Sequence, residues 1–112
     1  MSSTPVRRFG MAARLVPEKR AEYLELHAAV WPHVEEMNTR CGIRNFTIFV
    51  LDDVILGYYE YVGDDYESDQ AIMAQDPICQ QWWSYTAPCQ LPLRSGSSSP
   101  NWEQFAEVWH QD

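Results

Sequence analysis

The sequence is short of positive charge: eight Lys and Arg stand against sixteen Asp and Glu, a formal net charge of −8. Nucleic acid and anionic membranes both demand a basic footprint, so neither is expected as a partner. A neutral ligand suits that balance, and an acidic surface also keeps a domain in solution. Long apolar runs are missing as well. The stretch 9–15 contains Arg14 and is too short for the apolar core of a signal peptide, and nothing approaches the length that spans a bilayer. Cysteine is sparse. Cys41, Cys79 and Cys89 are an odd set without a Cys-x-x-Cys pair, which points to reduced thiols and the cytoplasm. There is no glycine-rich phosphate loop, no nucleophile elbow and no internal repeat. Metal-ligand spacing is absent too, since His27 and His33 stand six apart and diverge around a helix. The doublets Glu35-Glu36, Asp52-Asp53 and Asp64-Asp65 fall on a helix surface or at turns, where solvation or capping accounts for them.

What the chain does have is aromatic and apolar material: five Trp, six Tyr and 46% hydrophobic residues in 112. That is enough for one domain with a core, spanning residues 1–112. Its organising stretch is a helical run over 18–41. Tyr23 and His27 stand four apart, so they stack on one helical face. Val30, Val34, Met37 and Cys41 continue the stripe at intervals of three and four, and that face should look inward. Pro32 has no N–H to return to the Ala28 carbonyl, so the helix should kink or restart there with Trp31 at the joint. Pro17 precedes the helix, and Gly42 is suited to end it in the left-handed conformation.

Strands flank it. Residues 8–15 alternate, with Phe9, Met11, Ala13 and Leu15 on one side. Residues 43–51 and 54–62 are β-branched and aromatic, with only Asp52-Asp53 between them, and read as a tight hairpin. Strict alternation puts Phe46, Ile48 and Val50 on one side of the first hairpin strand and Ile43, Thr47, Phe49 and Leu51 on the other. Both sides are apolar, so both faces should be covered. A second helical region covers 64–75, capped by Asp64 or Asp65. Asp76 caps a further helix with Pro77 at its first position, carrying Ile78, Cys79, Trp82, Trp83 and Tyr85. Residues 88–100 are expected to be an unpacked loop, flexible from 94 to 101 like the 1–6 tail. Residues 102–110 alternate again as a last strand. The order β-α-β-β-α-β is ferredoxin-like, an α+β fold with helices on one sheet face. Its other face has no cover within the chain, and a second copy packed sheet on sheet, a homodimeric α+β barrel, is the economical solution.

Two constellations carry potential chemistry. An imidazole titrates near pH ~6.5 and can give and take a proton, and Tyr23 can hydrogen-bond to His27 or to a ligand hydroxyl. Spacing alone leaves open a half-buried histidine with no chemistry. Trp82 and Trp83 point about 100° apart on a helix, so at most one should face a pocket while the other packs. An indole stacks on the C–H face of a sugar and donates its N–H to a hydroxyl, although core tryptophans need no ligand.

Taken together, Tyr23-x-x-x-His27, Trp31-Pro32, Asn45-Phe46, the run from Asp76-Pro77 to Trp82-Trp83 and the terminal Glu107-Val-Trp-His resemble the L-rhamnose mutarotase family. The resemblance extends from about residue 7 to residue 110 in order and spacing. It implies a dimeric α+β fold and interconversion of the α and β anomers of a 6-deoxy-L-hexopyranose, with no cofactor and no metal. By position it implies His27 as the catalytic acid/base and Tyr23, Phe46, Trp82 and Trp83 as sugar contacts. Phe46 departs from the family pattern, which has a substrate-contacting tyrosine there. The segments Val-Trp-Pro, Ile-Arg-Asn-Phe and Glu-Tyr-Val-Gly-Asp-Asp also look like relatives from L-fucose catabolism. Other classes on the same fold are a polyketide cyclase or cofactorless monooxygenase, and a binding protein without catalysis.

Overall fold

The computed structural model describes residues 5–97 and 102–112. It opens with β1 (Arg7–Leu15), followed by one 3₁₀ turn (Pro17–Lys19) and α1 (Arg20–Ala28). The proline break is real. Ala29 leaves helical geometry, Trp31 is extended as a residue before proline must be, and α2 (Pro32–Arg40) restarts with Pro32 at its first position. The Trp31 carbonyl accepts from the N–H groups of Val34 (3.0 Å) and Glu35 (3.2 Å), so the new helix is nucleated from the joint itself. Gly42 closes α2 at φ +85, a conformation that a side chain would strain, and a Cβ there would also strike the Tyr61 ring.

The hairpin is β2 (Ile43–Leu51) and β3 (Val54–Tyr61), turned by Asp52 at positive φ. Arg20 donates to the Asp52 carbonyl at 2.6 Å and fixes the hairpin tip to α1. Strict alternation fails in β2. Arg44 pairs with Glu60 but Thr47 pairs with Tyr58, so three steps on β2 oppose two on β3, with Asn45 at φ 54. This β-bulge inserts one residue and reverses the facing of everything beyond it. Ile43 therefore shares the inner face with Ile48 and Val50, not the outer face with Phe49 and Leu51.

Next come α3 (Tyr66–Gln75) and α4 (Pro77–Thr86). Asp65 caps α3 by accepting from the Ser68 N–H, and Asp76 caps α4 by accepting from the Cys79 N–H at 2.8 Å. The expected 88–100 loop is partly ordered: β4 (Gln90–Leu91) pairs with β1 at Arg14 and Leu15. The last strand is shorter than alternation suggests. Only β5 (Glu103–Phe105) pairs, opposite Gly10–Ala12, while residues 106–112 run on without a ladder and Arg8 holds Glu107 at 2.7 Å. Flexibility expected of residues 1–4 and 98–101 lies outside the described residues, whereas Arg94 and Ser97 both bond Glu103.

The antiparallel sheet runs β2-β3-β1-β4, with β5 sharing the β1 edge, which is the ferredoxin-like order with its fourth strand split in two. All four helices lie on one face of this curled sheet. Leu15 and Ile55 pack there with Tyr23 and Cys89, and each such fully buried aliphatic contributes about 1.5–3 kcal/mol. A second cluster joins the helices to one another through Val34, Met37, Cys41, Met73, Cys79 and Trp82. The opposite sheet face carries Phe49, Leu51 and Leu56, exposed at 58%, 74% and 44%.

Candidate active site

Between the helices and the inner sheet face lies a cavity of about 530 Å³. All five site residues expected from sequence reach it: Tyr23 and His27 from α1, Phe46 from the bulge of β2, and Trp82 and Trp83 from α4. Across the proline break, Val34 and Asn38 of α2 line the same cavity as Tyr23 and His27 of α1. The bulge of β2 contributes as well. Phe46 turns inward, 5.3 Å from the Tyr59 ring, and closes the sheet side.

His27 is held by both its neighbours and its backbone. Its Nδ1 lies 2.9 Å from the Tyr23 carbonyl oxygen, which can only accept, so Nδ1 carries the proton. That fixes the ring orientation and leaves Nε2 for a ligand: a lone pair in the neutral ring, a second N–H in the charged one. Tyr23 covers one side of the imidazole (ring centroids 4.3 Å apart), and the Trp82 edge meets it at 5.4 Å. Trp31, at the helix joint, backs Trp82 at 5.3 Å.

Tyr23 does not send its hydroxyl to His27. Gln90 Nε2 donates to that oxygen at 3.2 Å, which leaves the phenolic O–H to donate elsewhere. Burial pushes the Tyr23 phenol up to about 12, against the opposing effect of the Gln90 hydrogen bond. The group is thus a permanent donor at neutral pH. The two tryptophans also depart from expectation, since both face the cavity. Trp82, only 5% exposed, belongs to the core and shows the cavity one side, while Trp83, at 37%, stands at its mouth.

Sequence reading missed Gln90, Trp102, Glu35 and Asn38, which line the same space. Trp102 lies over Gly57, where an added Cβ would sit 3.3 Å from its ring, so that glycine makes room for it. A signal existed for Asn38, which falls eleven residues after His27 and so nearly in phase with it. Gln90 and Trp102 come from distant segments and had none. Among the described residues no group of three or more His, Cys, Asp or Glu side chains is gathered as metal ligands would be. No helix is long and apolar enough to cross a membrane, among the described residues.

A sequence profile described as L-rhamnose mutarotase matches residues 8–111. The chain belongs to the L-rhamnose mutarotase family. An L-rhamnose mutarotase of Listeria monocytogenes serotype 4b (strain F2365) is 35% identical over 96 residues, covering 86% of this chain and 89% of the relative. That of Oceanobacillus iheyensis is 28% identical over 107 residues, covering 96% and 100%. Family membership makes the chain an isomerase of sugar anomers. Among solved structures, an L-rhamnose mutarotase from Formosa agariphila superposes with a TM-score of 0.72 at 19% identity, covering 95% of this chain and 99% of that one. Tetracenomycin F2 cyclase from Streptomyces glaucescens, a type-II polyketide cyclase, gives 0.65 at 16% with the same coverage. At those identities the two structures speak for the fold, a dimeric α+β barrel type, and not for the chemistry.

Proposed function

We propose that this chain interconverts the α and β anomers of a 6-deoxy-L-hexopyranose, L-rhamnose foremost, with His27 as the acid/base. The observation that carries this is the anchoring of Nδ1 on the Tyr23 carbonyl, which leaves Nε2 as the one working nitrogen inside an aromatic cavity. In the forward step, protonated Nε2 gives its proton to the ring oxygen O5 as the C1–O5 bond breaks. The O1 hydroxyl proton passes to water, and C1=O1 forms. The aldehyde rotates about C1–C2 and recloses with O5 attacking the other face of C1, while O5 returns its proton to His27 and the water-borne proton returns to O1. Atoms and electrons balance over the cycle, and neither cofactor nor metal enters. A positioned acid/base is worth roughly 10²–10⁴-fold. Tyr23 serves as a hydrogen-bond donor and not as the acceptor of the O1 proton, because its O–H is held up to about 12. Trp82, Trp83 and Phe46 hold the deoxy-sugar's apolar face and methyl group, which supplies orientation.

Phe46 brings no hydroxyl to the sugar, so L-fucose stands as the competing substrate. The open apolar sheet face supports a homodimer packed sheet on sheet. Three free, buried thiols support a cytoplasmic location. The deciding measurement is anomeric exchange by NMR saturation transfer on L-rhamnose and L-fucose, with wild type and His27→Ala. Fast exchange lost in the variant is the expected result, and the faster sugar is the substrate. Unaccelerated exchange with both sugars refutes the mutarotase reading.

A further inference from the structure

Gln90 sits in β4, opposite Leu15 of β1, and backbone pairing rather than its side chain holds it there. Its half-buried side chain lines the cavity and donates one hydrogen bond, from Nε2 to the Tyr23 oxygen. A primary amide has two N–H donors and two lone pairs on oxygen. Among the described residues only that one position is used, so the Gln90 carbonyl oxygen and the second N–H are unspent. The neighbouring Tyr23 O–H is unspent too, because the phenol oxygen accepts from Gln90. An acceptor and a donor thus stand side by side in the cavity wall, which also carries His27, Glu35, Asn38 and Thr86, and Phe46 in the same cavity offers neither.

The geometry points to Gln90 as a substrate-contacting, specificity-determining residue that reads sugar hydroxyls jointly with Tyr23. The pair accommodates two hydroxyls on adjacent pyranose carbons, one donating to the Gln90 oxygen and the other accepting from Tyr23. A hydroxyl turned from equatorial to axial would leave one of these buried groups unmatched, which is the situation that discriminates between epimers. This inference rests on the mutarotase reading, and its test separates the two.

Gln90→Met keeps length and volume while removing every hydrogen bond, and the backbone pairing of β4 survives it. Exchange kinetics on L-rhamnose and L-fucose give KM and kcat, and quenching of the cavity tryptophans by each sugar gives binding directly. For the preferred sugar KM should rise about tenfold, the worth of one hydrogen bond, while kcat stays within about twofold. The preference between the two sugars should shrink by a similar factor. In a Tyr23→Phe background the same substitution should still weaken binding. Unchanged KM and sugar preference overturn the proposal. So does an effect that vanishes in the Tyr23→Phe background, since Gln90 would then serve only the phenol. Should wild type accelerate neither sugar, the mutarotase reading falls, and the quenching titration still decides whether Gln90 touches sugar.

Discussion

Ile55 and Leu56 are neighbours on β3, of similar size and the same chemistry, yet one is fully buried and the other 44% exposed. They stand for the two faces of the sheet. The inner face carries the helices, the core and the cavity; the outer face leaves Phe49, Leu51 and Leu56 exposed, and the C-terminal residues meet it at Arg8 and Tyr58, where Arg8 holds Glu107. Apolar composition alone therefore does not say where a domain's interior lies. Helices supply the cover on one side only, and the exposed apolar patch is the surface that the proposed homodimer would bury.

The sharpest way to test the inner face is at its chemistry. His27→Ala should lower anomeric exchange about 10²–10⁴-fold, leaving the far-UV spectrum and thermal midpoint near wild type, because His27 is half-buried and, among the described residues, its side chain hydrogen-bonds only to a backbone carbonyl. Next in size is the core. Ile55→Ala should cost about 2–5 kcal/mol in denaturant unfolding, the usual cost of emptying a fully buried site. Leu56→Ala, one residue on, should change the isolated chain's stability by less than about 0.5 kcal/mol. If the two cost the same, the contrast between the faces is wrong for the protein in solution. If the proposed homodimer packs through the outer face, Phe49→Asp should move the native mass from dimer to monomer and leave the cavity's aromatic contacts intact. A wild-type chain already monomeric in dilute solution would remove the reason for the outer face's apolar character.

The cavity also predicts how alkali should act. The Tyr23 phenol is pushed up to about 12, so its donor proton is present throughout pH 7–10. Exchange rates should therefore show no loss from phenol ionisation below pH 10. Tyr23→Phe, which keeps the ring against His27, should lower kcat/KM by about tenfold across that range. A wild-type rate that collapses between pH 9 and 10, with Tyr23→Phe insensitive, would mean that the phenol is far less shielded than its 2% exposure indicates.

How much of this was legible beforehand depended on whether the cause was local. The Tyr23-to-His27 face, the restart at Pro32, the Gly42 stop and the Asp65 and Asp76 caps each follow from a few consecutive residues, and each stands as expected. The bulge at Asn45 was not legible, because a register shift exists only relative to the partner strand. It reversed the facing of Ile43 relative to Ile48 and Val50. The length of β5 failed for the same reason, as alternation over 102–110 cannot say where pairing stops. In the site, His27, Tyr23, Trp82 and Trp83 carried local spacing or a recognisable motif. Gln90 meets Tyr23 across 67 positions of sequence, and no periodicity encodes that.

The smallest effect expected lies where α2 is tied to the start of α4. Asp76 accepts from His33 Nε2 at 2.9 and 3.0 Å and from the Cys79 N–H at 2.8 Å, joining α2 to the start of α4. The His33 hydrogen bond, followed by that of the Cys79 backbone, holds the Asp76 carboxyl below its ordinary value of 3.8. A carboxyl depressed by folding binds its proton more readily in the unfolded chain. Its contribution is thus complete above the unfolded value, near pH ~4, and is lost as pH falls through the folded value. Glu60, Glu103 and Glu107 are depressed in the same direction, so the acid side of the wild-type stability curve is a sum. Asp76→Asn keeps the shape and a capping oxygen but cannot titrate. Thermal midpoints of the two proteins, followed from pH 7 to pH 2, should differ most at pH 7 and converge below pH 4. A constant offset across that range would show that the pair supplies geometry to the α4 cap and no proton-linked stability. The catalytic rate at pH 7 should be the same in both proteins, because neither His33 nor Asp76 lines the cavity.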